Sequence, residues 1–394
     1  MRRLALVQAT AGLALLALSA CQDPSTVGLG LLDDDASNPN VRVLNATSVD
    51  TVGFELVTSG LADLATPTQS RVLVGNVVDA IYGDATATAY VDAIAPTLPS
   101  GFGDRPVTRV TLELRQNYVY GDTTAALPVE LREVSATWSP TGLPADTTLA
   151  TGELLTTNTV GASDTLAVFT LPAAWVAAND SLFTSASFSS SFEGFELRAP
   201  SLAGAGAVVG FNVAAASGSV LRVATARDTV SFRLSEVFSR VTRGAPGLAP
   251  MGRRLLRAGV GEGLRFAFDY AGVRQLPLAQ AVFRLPIDRT LAGPTGTFVR
   301  PLASEVALFA RPTTGDPVFV TTVRTAGTGD ARSVSTSVLT SLVQTILLDQ
   351  ASYRDFQVRF PTTPVSLDVL PLVLDGATPA TRPRLSLTVV GQPT

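Results

Sequence analysis

The residue types that usually carry catalysis are scarce in this chain. It has no histidine, and all 29 of its basic residues are arginine, since no lysine occurs among the 394 residues. Without histidine there is no Ser-His-Asp machinery, no histidine general base and no His-Glu-x-x-His zinc site. Without lysine there is no Schiff-base chemistry and no P-loop lysine. We therefore expect a protein that is not an enzyme, and we predict no cofactor.

Carboxylates are the remaining candidates for chemistry. A glycosidase needs two of them about 5–10 Å apart in a cleft, and the chain has 33 acidic residues. Glu130, Glu133, Glu193 and Glu196 are candidates because they lie on predicted strands, but solvent-facing strand positions explain them fully. No calcium-type series of the form DxDxDG occurs, so we predict no metal site. A carboxylate-dependent glycan hydrolase or lyase remains the alternative function.

The single cysteine, Cys21, follows an N-terminal apolar stretch. Met1-Arg2-Arg3 forms a short cationic segment, and the apolar residues that follow are too few to span a bilayer but typical of a secretory signal. Leu18-Ser19-Ala20-Cys21 resembles the lipobox of bacterial lipoproteins, in which an aliphatic residue and two small residues precede a cysteine. The resemblance implies that residues 1–20 are cleaved off and that the Cys21 thiol carries the acyl chains that anchor the protein in a membrane.

The residues after Cys21 indicate the location and the partners. Gln22 stands where an aspartate would retain an enterobacterial lipoprotein in the inner membrane, so we predict an outer-membrane lipoprotein that faces the periplasm or the cell surface. A formal net charge of −4 gives no electrostatic footprint for nucleic acid. The predicted partners are the membrane, through the acyl chains on Cys21, and a glycan or an envelope protein.

Beyond residue 40 the apolar residues alternate with polar ones, which is typical of half-buried strands. Glycine-aspartate turns separate many short segments of this kind, so the chain is predicted to be all-β. Two helices are expected, at 172–178 and 335–349. The fold class that follows is two tandem antiparallel β-sandwich domains, jelly-roll-like, each with one short helix. The predicted boundaries are 1–20 for the signal peptide, 21–40 for the lipidated N-terminus and flexible acidic tether, 41–226 for the first sandwich and 227–394 for the second.

An internal repeat underlies the two-domain prediction. The segment FEGFELR at 192–198 matches YRDFQVR at 353–359, with an aromatic residue, a phenylalanine and then alternation that ends in arginine. Each segment follows a predicted helix and precedes an apolar strand. Any two all-β segments can be aligned to some extent, but the helix has the same rank in both halves, which favours a duplication.

Several segments resemble the DUF4270 lipoproteins, a family of unknown function. They are CQDPSTVGLGLL at 21–32, FEGFELRAP at 192–200, GSVLRVAT at 218–225, RRLLRAGVGEGLRFAFD at 253–269 and LAQAVFRLPID at 278–288. The resemblance implies a lipidated cysteine, an acidic tether and tandem β-sandwich modules. The second half also resembles the jelly rolls of carbohydrate-binding and DNRLRE-type surface proteins. Neither resemblance supplies a catalytic residue.

Aromatic residues are the candidates for ligand contact. Trp138 lies just past a predicted strand, where it could form a stacking platform for a sugar ring, and Tyr118 and Tyr120 lie beside a glycine-aspartate turn. Trp175 is expected to plug the end of a sandwich. Burial in the core is the better explanation for both tryptophans, and positions at sheet edges explain the tyrosines equally well. The function expected from the sequence is therefore a membrane-anchored envelope lipoprotein that serves as a non-catalytic binding or structural module.

Overall fold

A computed structural model describes most of the chain beyond the predicted tether. The described residues are 42–43, 47–58, 69–141, 143–200, 204–270, 278–327, 333–348, 353–361, 365–375 and 382–391. Within them the fold is mostly strand, and the pairings between strands are antiparallel, so the predicted all-β sandwich-like class is confirmed. The lipobox, Cys21 and the tether lie outside the described residues.

The elements follow the chain in order. The strands of the first half are β1 (Arg42–Val43), β2 (Thr47–Thr58), β3 (Arg71–Val77), β4 (Ala85–Ile94), β5 (Val107–Asp122), β6 (Ala126–Val134), β7 (Thr151–Gly161), β8 (Leu166–Thr170), β9 (Phe195–Arg198), β10 (Gly206–Asn212), β11 (Val220–Thr225) and β12 (Thr229–Arg243). The strands of the second half are β13 (Arg253–Arg257), β14 (Glu262–Phe268), β15 (Leu278–Pro286), β16 (Gly293–Thr295), β17 (Phe298–Arg300), β18 (Glu305–Pro312), β19 (Val318–Ala326), β20 (Ser333–Thr336), β21 (Tyr353–Arg359), β22 (Val369–Val373) and β23 (Arg384–Gly391).

The described helices are short: α1 (Ala173–Ala178), α2 (Asp180–Thr184), α3 (Phe188–Ser191) and α4 (Thr340–Leu347). The helix predicted at 172–178 is present as α1, and two further turns of helix follow it. The helix predicted at 335–349 begins five residues later than expected, because Ser335 belongs to β20 and pairs with Arg284. Leu339, Val343 and Leu347 of this region are fully buried, which accounts for the helical spacing in the sequence.

Two large sheets organise the molecule into two units. In the first unit the pairing path runs β12-β11-β5-β10-β3-β4-β9-β6-β7, β8 pairs with β5, and β12 pairs again with β4. In the second unit the path runs β23-β15-β20-β19-β18-β21-β14-β2, and β2 pairs again with β23. Strands β13 and β22 form a separate two-stranded ribbon, and the β16–β17 hairpin attaches to β5.

Strand pairing crosses the sequence boundary that was predicted at 226. Strand β12 lies after this boundary but pairs with β11 and β4 of the first unit. Strand β2 lies near the start of the chain but pairs with β14 and β23 of the second unit. How the chain divides into folding domains stays a prediction.

Alternating burial shows why these segments are strands. Leu221, Val223 and Thr225 of β11 are buried, while the residues between them are only partly covered. Strands β3 and β10 differ, because both of their faces are buried: Val72 and Val209 face the core of the first unit, whereas Leu73 and Val208 face a second apolar layer. This second layer also contains residues of β13 and β22, so it joins the two units.

Candidate functional site

The region where the two units meet, here called the joint, contains a buried ion pair. Asp79, whose side chain is fully buried, accepts hydrogen bonds from Arg300 (Nε–Oδ2 2.8 Å, Nη2–Oδ1 3.1 Å) and from the Tyr120 hydroxyl (2.5 Å). Burial alone would raise the pKa of Asp79, but these bonds and the backbone N–H groups of Ile81 and Tyr82 lower it below its usual value. The carboxylate is therefore held charged, with Arg300 of the second half as its counter-ion.

Two more arginines cross the joint. Arg257 pairs with buried Glu262 and donates to the carbonyl oxygens of Tyr82 (3.1 Å) and Gly244 (2.6 Å). Arg243 lies over the Tyr120 ring at 5.4 Å and donates to the carbonyl oxygen of Ala258 at 3.2 Å. Guanidinium groups suit this role because they carry several donors in a fixed plane. The relative placement of the two units is therefore specified by directional bonds as well as by apolar packing.

A cavity of about 230 Å³ lies at the edge of this joint. The first unit contributes Arg71 from β3 and Tyr118 from β5, and the second contributes the segments before β18 and before β22. The side chains that carry its chemistry are Arg71, Tyr118, Ser304, Glu305, Phe360 and Asp368. We refer to this cavity as the cleft.

The polar groups of the cleft hold one another in place. The Arg71 guanidinium lies 4.8 Å from the centre of the Tyr118 ring, and its Nε donates to Asn117 Oδ1 at 3.1 Å. The Tyr118 hydroxyl accepts from the backbone N–H of Leu367 at 2.9 Å and is hydrogen-bonded to Asp368. The contacts of Tyr118 with Leu367 and Asp368 join opposite halves of the chain, so the cleft is formed only when both units are assembled.

Asp368 is the unusual residue of the cleft. Burial raises the pKa of this carboxyl, and the hydrogen bond from Tyr118 and the charge of Arg71 offset the rise only in part. Its Oδ1 atom is buried and has no hydrogen-bond partner among the described residues. A buried acceptor without a partner is costly, and a bound ligand with a hydroxyl group would satisfy it.

Acidic residues also gather on the outer face of the first unit, here called the acid face. Tyr90 of β4 donates to Glu196 Oε1 at 3.2 Å, and Glu196 is 5% exposed. Burial raises the pKa of nearby Asp92 to about 7; the backbone N–H of Ala93 opposes this rise, and the charges of Glu236 and Glu193 add to it. Glu196 lies opposite Tyr90 in the sheet, and Asp92 is two residues further along β4, on the same face of that strand as Tyr90.

The acid face is covered by the segment that carries Trp138. The indole N–H donates to the carbonyl oxygen of Glu193 at 2.8 Å, and the ring packs edge-on to Tyr90 with centroids 6.4 Å apart. Val134 and Phe238 complete this small apolar cluster. A substrate therefore has no access to Glu196 in this conformation, whereas the cleft is a formed cavity.

The structure distributes the aromatic candidates among different roles. Tyr118 lines the cleft, as the ligand-contact hypothesis requires. Tyr120 is fully buried beside Asp79. Trp138 covers the acid face, and Trp175 packs against Phe183 and donates to Glu133 Oε2 at 3.0 Å.

The acidic candidates divide in the same way. Glu193 and Glu196 lie at the acid face, whereas Glu130 pairs with Arg132 and Arg198 on a part of the sheet that is reached by solvent. Sequence reasoning missed Arg71, Asp92 and Asp368. Asp368 had a usable signal, because it is a single acid inside the apolar run at 367–374.

No protein-family model, no curated protein and no solved structure matches this chain. Among the described residues, no helix is long and apolar enough to cross a membrane. In the same residues, no group of three or more acidic, histidine or cysteine side chains is arranged to hold a metal ion.

Proposed function

We propose that the protein is a cell-envelope lipoprotein, anchored in the outer membrane through Cys21, that binds a glycan non-catalytically in the cleft. The observation that carries the binding role is the cleft itself. It combines a donor-only guanidinium, hydroxyl groups, carboxyl groups and the apolar surface of Phe360 around one small volume. A sugar ring presents the complementary groups, since its hydroxyls both donate and accept hydrogen bonds and its C–H face is apolar.

The size of the cleft limits its ligand. Its volume of about 230 Å³ lies below the ~300–1,000 Å³ that is usual for drug-sized ligands. We therefore propose that one sugar unit of a longer glycan enters the cleft. The arginines of the joint keep the two walls in place before binding, which reduces the ordering cost of association.

Glycan-array screening of the chain from residue 22 onward, followed by titration of the glycans that bind, tests this proposal. Arg71→Ala and Phe360→Ala are expected to weaken binding at least ten-fold. Arg233→Ala, which removes an exposed arginine of β12 away from the cleft lining, is the matched control and should leave affinity unchanged. No binding on the array, combined with capture of an envelope protein, would replace the glycan by a protein partner.

Anchoring is tested separately. Palmitate labelling of cells that express the wild-type chain should label the protein, and Cys21→Ser should abolish the label. Equal incorporation in both would refute the lipoprotein proposal while leaving the binding proposal open. Resemblance to the DUF4270 lipoproteins supports the location and gives no activity.

A carboxylate-dependent glycan hydrolase or lyase is the second candidate, and the acid face is the observation that favours it. Asp92, with its pKa near 7, would act as the acid, and Glu196 would be the second carboxylate, which requires that the Trp138 segment first move off the acid face. Release of new sugar ends from a polysaccharide by the wild-type chain, lost in both Asp92→Asn and Glu196→Gln, would establish this activity. Binding without turnover would leave the first proposal in place.

A further inference from the structure

Strands β2 and β12 are equivalent members of the two units. Each closes the pairing path of its unit: β12 pairs with β11 and β4, and β2 pairs with β23 and β14. Their sequences also match, because DTVGFEL at 50–56 aligns with DTVSFRL at 228–234. Each strand carries a bulge in the equivalent ladder, where two of its residues stand opposite one residue of β14 or β4.

The two closing strands reach their units in different ways. Strand β12 follows β11 through a tight turn, in which the N–H of Thr225 donates to the Asp228 carbonyl oxygen at 2.9 Å. Strand β2 instead reaches the second unit from the other end of the chain, where Glu55 stands opposite Arg265. Residues 59–70 are all that connect β2 to the first strand of the other unit.

Over residues 53–58, where the structure describes its side chains, strand β2 is held mainly by its backbone. None of its side chains at 53–58 is buried, and Leu56 is 42% exposed. The Glu55–Arg265 ion pair is largely open to solvent at Glu55 and contributes little. In contrast, β12 buries Phe232, Leu234 and Phe238 in the first unit. Release of residues 53–58 of β2 therefore exposes less apolar surface than release of the matching residues 231–236 of β12 would.

Release of β2 would leave β14 and β23 with unpaired backbone groups on facing edges. Such edges recruit an extended strand, and the matching register and bulge belong to this sequence. We propose that β2 is a donor strand that can complete the second unit of another copy of this chain, so that molecules associate by exchange of β2. Molecules held together on one surface would favour the exchange through their local concentration.

Disulfide trapping between separate molecules tests this exchange. In a Cys21→Ser background, Glu55→Cys is placed in a chain with a size tag and Arg265→Cys in an untagged chain. Directly opposite strand positions lie close enough for a disulfide after small adjustments. The two proteins are mixed under oxidised glutathione and separated without reductant. The matched control mixes Arg233→Cys with Ile94→Cys, an exposed opposite pair on β12 and β4.

We expect the Glu55→Cys and Arg265→Cys mixture to give at least five-fold more mixed disulfide dimer than the control mixture. A single chain with both substitutions should form the internal disulfide and should then no longer associate. Equal dimer yields in the two mixtures, with the internal disulfide still formed in the doubly substituted chain, would show that β2 stays in its own molecule. Failure of that internal disulfide would contradict the β2–β14 pairing and the proposal with it.

Discussion

The two units share one pairing scheme, but one antiparallel pair of strands in that scheme joins the sheet of the first unit and stays separate from the sheet of the second. In the first unit β3 and β10 lie inside the sheet, because β10 pairs with β5 along most of its length. In the second unit the equivalent strands β13 and β22 form a ribbon of their own, and the contact with β15 shrinks to an isolated bridge between Ile287 and Leu372. The same order of strands therefore supports a continuous sheet in one unit and a divided one in the other.

Glycine and proline account for this difference. In the first unit Gly121 of β5 allows β10 to approach closely, since a Cβ atom at Gly121 would lie 2.7 Å from the Gly206 carbonyl oxygen. In the second unit Pro286 ends β15 and Pro371 lies within β22. Proline has no N–H to donate to a ladder, so a continuous sheet would lose hydrogen bonds there. Local residue chemistry thus decides which strands of a repeated scheme join the sheet.

The largest effect is expected from Gly75→Ala, which breaks the continuous sheet of the first unit. Gly75 has φ +138° and no room for a side chain, so we expect a loss of about 5 kcal/mol in the free energy of unfolding, or failure to fold. Gly293→Ala is the control, because Gly293 also has a positive φ but has no atom within 4 Å of the added Cβ. It should cost about 1 kcal/mol. Urea unfolding gives both values, and equal costs would show that close approach is unimportant.

The next effect concerns the joint between the units. Arg300→Ala removes the counter-ion of buried Asp79, so the free energy of unfolding should fall by about 3–5 kcal/mol. Adding Asp79→Asn should restore part of the stability, because the buried charge is then removed. Chemical unfolding monitored by tryptophan fluorescence measures the change. If Arg300→Ala alone were as stable as the wild type, the Asp79–Arg300 ion pair would not be what holds the two units in place.

The closing strands provide a direct comparison. Phe232 of β12 and Phe54 of β2 occupy the same position in the repeated sequence, but Phe232 is fully buried and Phe54 only partly. Phe232→Ala should therefore cost about 3–5 kcal/mol of unfolding free energy and Phe54→Ala about 1–2 kcal/mol. Thermal unfolding of both variants gives the two losses of stability. Equal losses would contradict the weaker attachment of β2.

The smallest effect depends on pH. The pKa of Asp92 is raised to about 7 in the folded protein, so the folded state binds an extra proton between about pH 4 and pH 7. Stability from this group therefore falls as pH rises through that window. Asp92→Asn should stabilise the protein above pH 7, by on the order of 2 kcal/mol, which is about half of what the full pKa difference would give because Asp92 is partly open to solvent. It should change little below pH 4. Asp316→Asn, at an exposed turn, should show no such dependence in melting curves from pH 4 to pH 8.

Local features of the fold were predictable from the sequence. The alternation at 353–359 coincides with β21. Such patterns depend on neighbours along the chain, where burial of one face leaves a two-residue period. Helix α4 was located less well, because apolar spacing alone did not distinguish β20 from the first turn of the helix.

Pairing between distant segments was much harder to predict. The sequence of β2 gives no strong pattern that would assign this strand to the second unit. The cleft depends on the same kind of distant contact, since Arg71 and Asp368 come from opposite halves of the chain. Tyr118 was predicted as a ligand contact from its neighbouring turn, but its partners Leu367 and Asp368 became visible only in the folded molecule.

The placement of β1 and β2 has a mechanical consequence. Both strands belong to the second unit, although they precede the first unit in the chain. A pulling force applied at the N-terminal side of these strands therefore loads the second unit before the first. The backbone hydrogen bonds of β2 to β14 and β23 would bear that load. The force would reach the cleft only after β2 had detached from both strands.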